Sequence, residues 1–332
     1  MGATVTANGG IQVDYGKTRF MLDPHGAAKA DYVFVSHAHV DHMHNPSKSE
    51  KIIASAATTE LAKARGYDLG ATTEDVEGVE LLDSGHILGS RAIRIADEVF
   101  YTGDASGRAR AFLGKCKTRQ ARILIMETTY GVPDYTFPQT AKLVKEVNSL
   151  IAGAYDRGVP VVLMGYPLGK AQLLAYFFSS WAPLYYSSNV AEMNRVHAEN
   201  GIDLKRGTHF DPRKDYDSLP HGPWLLVSPM SSGRSRLMSH LKKKYGAILV
   251  AFSGWALGSG YRYTMGADYS FPLSDHCDYQ ELVKLVEAVS PETVYTVHGF
   301  AAEFASDLRK MGFHARTLGA YQSSLTDFAR QA

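Results

Sequence analysis

Cysteine is scarce in this chain: Cys116 and Cys277 are the only two among 332 residues. That excludes a disulfide framework and suits a reducing compartment. Long apolar runs are missing too, so no membrane span is expected. The opening Met1-Gly2-Ala3-Thr4-Val5 has no basic segment followed by an apolar one, so no signal peptide is predicted either. These absences together predict a cytoplasmic protein. Charge of one sign is also lacking, with 35 Lys and Arg against 34 Asp and Glu. No global basic field marks a nucleic-acid binder, although a local positive groove is compatible with that balance. Fixed-period repeats and low-complexity tracts are absent. What is present is ordinary globular material, 45% hydrophobic and 21% charged, long enough for one large domain or two.

Short β-branched runs recur, and each ends on a residue able to bind metal. Arg19–Leu22 leads to Asp23, Tyr32–Ser36 to His37, and Glu98–Tyr101 to Asp104. Ile123–Met126 leads to Glu127, and Thr293–Val297 to His298. Each run reads as a buried strand, and strand ends are where loops converge to form sites. Between them lie amphipathic helices, over 139–151 with Gly153 beyond, and around Leu282, Leu285, Val286 and Val289. This alternation implies an α/β sandwich. The middle has strands of its own at Val159–Met164, Trp224–Val227 and Ala247–Phe252, and none of the candidate histidines. It reads as an inserted domain over 133–265, between a first part, 1–132, and a second part, 266–332.

The densest chemistry is Ser36-His37-Ala38-His39-Val40-Asp41-His42. Imidazole and carboxylate suit zinc, and also manganese or iron. In an extended segment His37 and His39 fall on the same side, leaving Asp41 and His42 to turn toward a second ion. The competing reading is a histidine-rich surface loop. His44 fits no ligand slot and reads as a surface residue. In Gly85-His86-Ile87-Leu88-Gly89 the glycines allow close backbone approach, and His86 becomes a further ligand to the first ion. Gly103-Asp104 closes a strand with a carboxylate able to bridge two ions.

Taken together, His37-Ala38-His39-Val40-Asp41-His42, Gly85-His86 and Gly103-Asp104 resemble the metallo-β-lactamase superfamily signature. Glu127-Thr128-Thr129, Ser274-Asp275-His276 and Val297-His298-Gly299 are similar to the further motifs of the β-CASP nucleases. Gly165-Tyr166-Pro167-Leu168-Gly169-Lys170-Ala171-Gln172 and Phe252-Ser253-Gly254-Trp255 look most like the DNA-ligase-associated exonuclease subfamily, whose members are often labelled mRNA 3′-end processing factors. The resemblance spans nearly the whole chain. It implies an αββα metallo-β-lactamase sandwich carrying an inserted α/β β-CASP domain. It also implies a zinc-dependent nuclease acting on single-stranded DNA or RNA, with a 3′–5′ exonuclease on DNA favoured. A DNA ligase or repair proteins become partners by the same resemblance.

Carried over, the first ion takes His37, His39, His86 and Asp104, and the second takes Asp41, His42, Asp104 and His298. Two zinc ions are implied, with manganese as a substitute. Asp23 steadies the histidine loop from behind. His276 and Glu127 form an acid/base pair, and Asp41 joins them among the catalytic residues. Cys277 departs from the alanine common after the motif histidine and reads as a small inert buried residue. Thr128 stands where serine is usual. Ser231 and Ser232 precede a helix start near Arg234, and read either as a phosphate cradle or as part of a plain capped helix. Lys170 reads either as a phosphate contact or as a solvated lysine, and Tyr185-Tyr186 as core. The rival functions are an RNA-processing ribonuclease, a small-molecule hydrolase on the same fold, and a weakly active nucleic-acid-binding subunit. Every ligand slot is filled, which argues against the last.

Overall fold

The structure is a computed structural model and describes residues 2–47, 49–258 and 260–319. Its contacts divide the chain into two units. One runs to Thr136 and resumes at His276, and the other is Phe137–Asp275. The first unit opens on a sheet of β1 (Thr4–Ala7), β2 (Ile11–Tyr15), β3 (Thr18–Leu22), β4 (Tyr32–Phe34), β5 (Ile52–Ile53) and β6 (Thr72–Thr73), in that order. The β1–β3 meander is antiparallel, and β3 to β6 pair in parallel. Helix α1 (Ala56–Ala64) starts at Ser55, whose hydroxyl accepts from the Thr58 N–H at 3.0 Å and caps it. A second sheet begins with β7 (Val79–Asp83), β8 (Arg91–Ile95), β9 (Val99–Tyr101) and β10 (Ile123–Glu127).

The second unit carries α2 (Thr140–Tyr155), β11 (Val161–Gly165), α3 (Lys170–Phe177), β12 (Leu184–Ser187), α4 (Ser188–Glu199), β13 (Thr208–Phe210) and β14 (Leu225–Pro229). It continues through α5 (Arg236–Tyr245), β15 (Ile248–Phe252), α6 (Tyr261–Met265) and β16 (Tyr269–Phe271). Its one sheet, ordered β13-β12-β14-β11-β15-β16, is parallel throughout. Parallel strands covered on both faces need apolar side chains in both directions. Val161 and Leu163 pack among α2, α3 and α4 residues, whereas Val162 and Met164 pack with Met238 and Leu241 of α5. The expected return to the first domain at 266 is corrected here: β16 pairs with β15, Val250 opposite Tyr269, so the second unit runs to Asp275.

After the insertion come α7 (Tyr279–Val289), β17 (Thr293–Val297), α8 (Ala301–Lys310) and β18 (Ala315–Thr317). They complete the second sheet as β18-β17-β10-β9-β8-β7. The alternation of side chains along a strand makes two layers of core. Ile123 and Ile125 of β10 face the first sheet's Val13, Phe20 and Phe34, while Leu124 and Met126 face Leu282, Val286, Phe304 and Leu308 of α7 and α8. This is the expected metallo-β-lactamase sandwich with an α/β insertion. The ends of β3, β4, β9, β10 and β17 carry Asp23, His37, Asp104, Glu127 and His298.

Candidate metal centre

The site is built around a buried carboxylate. Asp23, just past β3, has φ 42° and is 2% exposed. The Ser36 N–H donates to its Oδ1 at 2.7 Å. Its Oδ2 accepts from Ser36 Oγ at 2.6 Å and Tyr101 Oη at 2.7 Å, and lies 2.9 Å from His42 Nδ1. Burial alone would raise its pKa, but the adjacent His42 and the Ser36 hydroxyl hold it below the ordinary range. Asp23 therefore fixes both ends of the His37–His42 loop. Tyr101 was missed from sequence, because an aromatic inside an apolar strand signals only core.

The histidines converge. Nε2 of His37 and Nε2 of His86 lie 3.1 and 3.0 Å from Nδ1 of His39. Oδ2 of Asp104 is 3.4 Å from His37 Nε2, 3.6 Å from His86 Nε2 and 3.5 Å from His42 Nε2. Ligand atoms of His37, His39, His86 and Asp104 all fall within 4.8 Å of one another. A tetrahedron with 2.0–2.1 Å bonds to nitrogen has edges of about 3.3 Å, which is the spacing found. On the other side of Asp104, His42 Nε2 sits 3.6 Å from Asp41 Oδ2, and the His42 and His298 rings are 5.5 Å apart. The buried Asp41 Oδ1 has no hydrogen-bond partner among the described residues. A donor set of imidazoles and carboxylates with an orphaned acceptor fits cation binding.

The electrostatics agree. Burial pushes His86 well toward the neutral form and His298 in the same direction, helped by neighbouring imidazoles. Burial opposes ionisation of Asp104, yet His42, His276 and His37 overcome it and hold its carboxyl well below the usual range. Burial likewise disfavours a charged His42, but Asp104, Asp41 and Asp23 raise it well above the ordinary histidine value. Neutral imidazoles and ionised carboxylates are the protonation states that ligands need; His86, His298 and Asp104 are already in them, whereas His42 would give up its proton to an incoming cation.

Two loops hold their ligands by backbone means. Gly85 has φ +75°, and a Cβ there would meet Cys116 N at 2.8 Å. The buried Arg110 donates through Nη2 to Gly85 O at 2.6 Å and to His86 O at 3.4 Å. Nothing in the sequence singled out Arg110, whose partners lie 25 residues away. His298 has φ 59°, and its carbonyl accepts from Thr128 Oγ1 at 2.6 Å. Gly299 follows at φ +53°, where a Cβ would lie 2.4 Å from Thr129 Cα.

Beside this cluster stands a dyad. Nδ1 of His276 is 2.9 Å from Glu127 Oε1, which also accepts from the Ala105 N–H at 3.2 Å, while Oε2 accepts from the Thr129 N–H at 2.9 Å. The Glu127 carboxylate is thereby fixed by two backbone donors. His276 Nδ1 is 4.0 Å from Asp104 Oδ2, and its ring centroid is 4.5 Å from that of His86.

Other expectations fare differently. His44 is not a surface residue: it is 4% exposed, with Nε2 2.8 Å from Glu50 Oε2. Lys170 is neither solvated nor offered to a phosphate. It is 1% exposed, and Nζ lies 2.5 Å from Asp275 Oδ1; a buried ammonium requires such a partner. In the second unit, Ser231 Oγ donates to Ser235 Oγ at 3.1 Å and Ser232 Oγ accepts from the Arg234 N–H at 3.2 Å. Ser235, rather than either of them, caps α5 through the Met238 N–H. Tyr186 is core, as expected. Burial raises the Cys277 thiol far up and pushes Cys116 up to about 12, so both are inert.

Residues 267–318 match the model of the Zn-dependent metallo-hydrolase RNA specificity domain. The chain is 36% identical over 315 residues to a probable DNA ligase of Opitutus terrae, covering 90% of this chain and 29% of that protein. It is 23% identical to an RNase J-like protein of Methanocaldococcus jannaschii, covering 87% of this chain and 89% of the relative. A crystal structure of a protein of unknown function from Enterococcus faecalis shares the fold, with a TM-score of 0.60 and 15% identity over 91% of this chain and 95% of that one. The chain thus spans under a third of the ligase-named relative. With the sandwich, the insertion and the histidine cluster in place, these matches support placing the chain in the β-CASP family of the metallo-β-lactamase superfamily of metal-dependent hydrolases.

Proposed function

We propose that the chain hydrolyses phosphodiester bonds of single-stranded nucleic acid, trimming from the 3′ end and favouring DNA. The observation that carries the reading is a convergent four-ligand cluster with a fixed His276–Glu127 dyad beside it. His37, His39, His86 and Asp104 would hold one zinc ion, or manganese in its place. Asp41, His42, Asp104 and His298 would hold a second. Such a pair supplies an acidified water and a Lewis acid to the phosphoryl oxygens. Asp41 Oδ1, which has no hydrogen-bond partner among the described residues, would accept a proton from attacking water. Glu127 accepts from His276 Nδ1, and from the imidazolium so held the Nε2–H would give its proton to the leaving oxygen, returning the ring to its neutral Nδ1–H tautomer. Ser231 and Ser232 are proposed phosphate contacts. Cytoplasmic location rests on the two inert reduced thiols; among the described residues no helix is long and apolar enough to cross a membrane. A ligase partner is suggested by the ligase-named relative, of which this chain matches a part.

A second reading, ribonuclease action, is favoured by the RNA specificity domain match and the RNase J-like relative. A time course on 5′-labelled single-stranded DNA, a blunt duplex and the matching RNA separates the two. Progressive ladders on single-stranded DNA are expected. Discrete internal cuts, or digestion of RNA alone, would replace the proposal with a processing ribonuclease.

A further inference from the structure

Charge is unevenly divided along the chain. The unit Phe137–Asp275 carries 15 Lys and Arg against 10 Asp and Glu, while the remainder carries 20 against 24. Within that unit the arginines are of two kinds. Arg195 is held by Glu192 and Glu199, and Arg213 by Asp211. Arg234, Arg236 and Arg262 are exposed, and none of the three has an ion-pair partner among the described residues. The nearby carboxylates are taken: Asp217 by Lys244 at 2.5 Å, and Asp268 by Lys242 at 2.7 Å.

These three guanidinium groups are ordered by tyrosines. Arg262 lies 4.5 Å from the Tyr263 ring centroid and donates to Tyr263 Oη at 2.5 Å. Arg236 lies 5.9 Å from the Tyr216 ring, and the Tyr216 hydroxyl donates to Arg236 O at 3.0 Å. Arg234 Nη2 donates to Tyr263 O at 3.1 Å, and the Gly233 N–H donates to Met265 O at 2.7 Å. Gly233 packs so closely that a Cβ there would lie 2.0 Å from Gly266 O. The loop before α5 is thereby locked to the end of α6. Tyr263 is 63% exposed, more than any other large hydrophobic side chain among the described residues.

We propose that this face is a contact surface for single-stranded nucleic acid, with a base stacked on Tyr263 and phosphates held by Arg234 and Arg262. The partner class rests on the nuclease reading. The physical case is separate: unpaired guanidinium groups recognise phosphate, and exposed aromatic rings beside arginine stack bases without regard to sequence. Charge alone would equally suit an acidic peptide, but such a partner has no flat face to set on Tyr263.

The test measures binding of a cleavage-resistant, fluorescently labelled phosphorothioate strand to the metal-loaded full chain. Tyr263→Ala should weaken binding by about five- to a hundred-fold, the range that loss of one stacked base gives, and Tyr263→Phe should retain most of it. The double variant Arg234→Gln/Arg262→Gln should lower the log–log salt slope by about 1.4, or ~0.7 per lost phosphate contact. Wild-type affinity and salt slope in these variants, or displacement by polyglutamate as effective as by unlabelled oligonucleotide, would overturn the proposal. Because the strand resists cleavage, binding is read whether or not the wild type cleaves; a wild type that cleaves no phosphodiester counts against the nuclease reading alone.

Discussion

At the scale of single residues, His276 and His298 make different demands of one chemistry. His276 Nδ1 is committed to Glu127 at 2.9 Å, whereas His298 comes off β17 beside His42 with its carbonyl tied to Thr128. His276→Ala should therefore lower phosphodiester cleavage by about 10²–10⁴-fold, the usual worth of a general acid, while elemental analysis finds the metal content of the wild type. His298→Ala should lose metal. If His276→Ala strips metal instead, the two roles are exchanged. The converging donors His37, His39, His86 and Asp104 were named from sequence, because residue type along one loop conveys donor chemistry and the family resemblance pointed to the two outside it. Lys170 and His44 were not. Their character is set by Asp275 and Glu50, and nothing local says which carboxylate will meet a given cation 105 residues away, or that a histidine will be sealed against its neighbour. Arg110 and Tyr101 were hidden for a related reason: each acts on a backbone or carboxylate brought to it only by the sheets.

At the scale of elements, the strands were legible because buried parallel strands are apolar on both faces, and β4, β10, β15 and β17 fall where β-branched runs predict them. The helix α4 was less so, since it presents polar residues inward. His197 on α4 is fully buried, and Nδ1 donates to Met193 O at 2.8 Å. Burial lowers its pKa to about 4, with only the Met193 carbonyl opposing. An unfolded histidine titrates near 6.5. The folded pKa is depressed, so the stabilisation is fully present above about pH 6.5. It is lost as pH falls toward 4, where the unfolded state takes up a proton that the folded state refuses. The loss amounts to about 3 kcal/mol across that window. Tryptophan fluorescence reads this unit selectively, since Trp181, Trp224 and Trp255 all lie within it. The urea midpoint so measured should fall between pH 6.5 and 4.5 in the wild type and fall less in His197→Leu. Equal slopes in both proteins would rule out His197 as the source.

At the scale of the whole molecule, the first unit is discontinuous, and its site is assembled from both ends of that discontinuity. Asp23, His37, His39, His86 and Asp104 precede the insertion, while His276 and His298 follow it. The second sheet is likewise incomplete until β17 pairs with β10 and β18 joins β17. His86, Asp104 and His298 come from segments distant from the His37–His42 loop, so the full site does not form in the unfolded chain and metal would bind the folded first unit more tightly than its unfolded ensemble. Its binding free energy then becomes folding free energy for that unit. At a hundred times the dissociation constant one site adds about 2.7 kcal/mol. The second unit holds none of the proposed ligands and has its own cores on both faces of its sheet. Hydrogen exchange followed by mass spectrometry should show zinc raising protection in β4, β9, β10 and β17 of chelator-treated protein. Protection of β11 and β14, and the tryptophan-monitored transition, should stay where they were. In His39→Ala the gain in the first unit should shrink, because one of the four converging donors is gone. Equal gains in β11 and β14 would mean that metal acts on the chain as a single cooperative unit, and the division into a metal-dependent and a metal-independent half would fail.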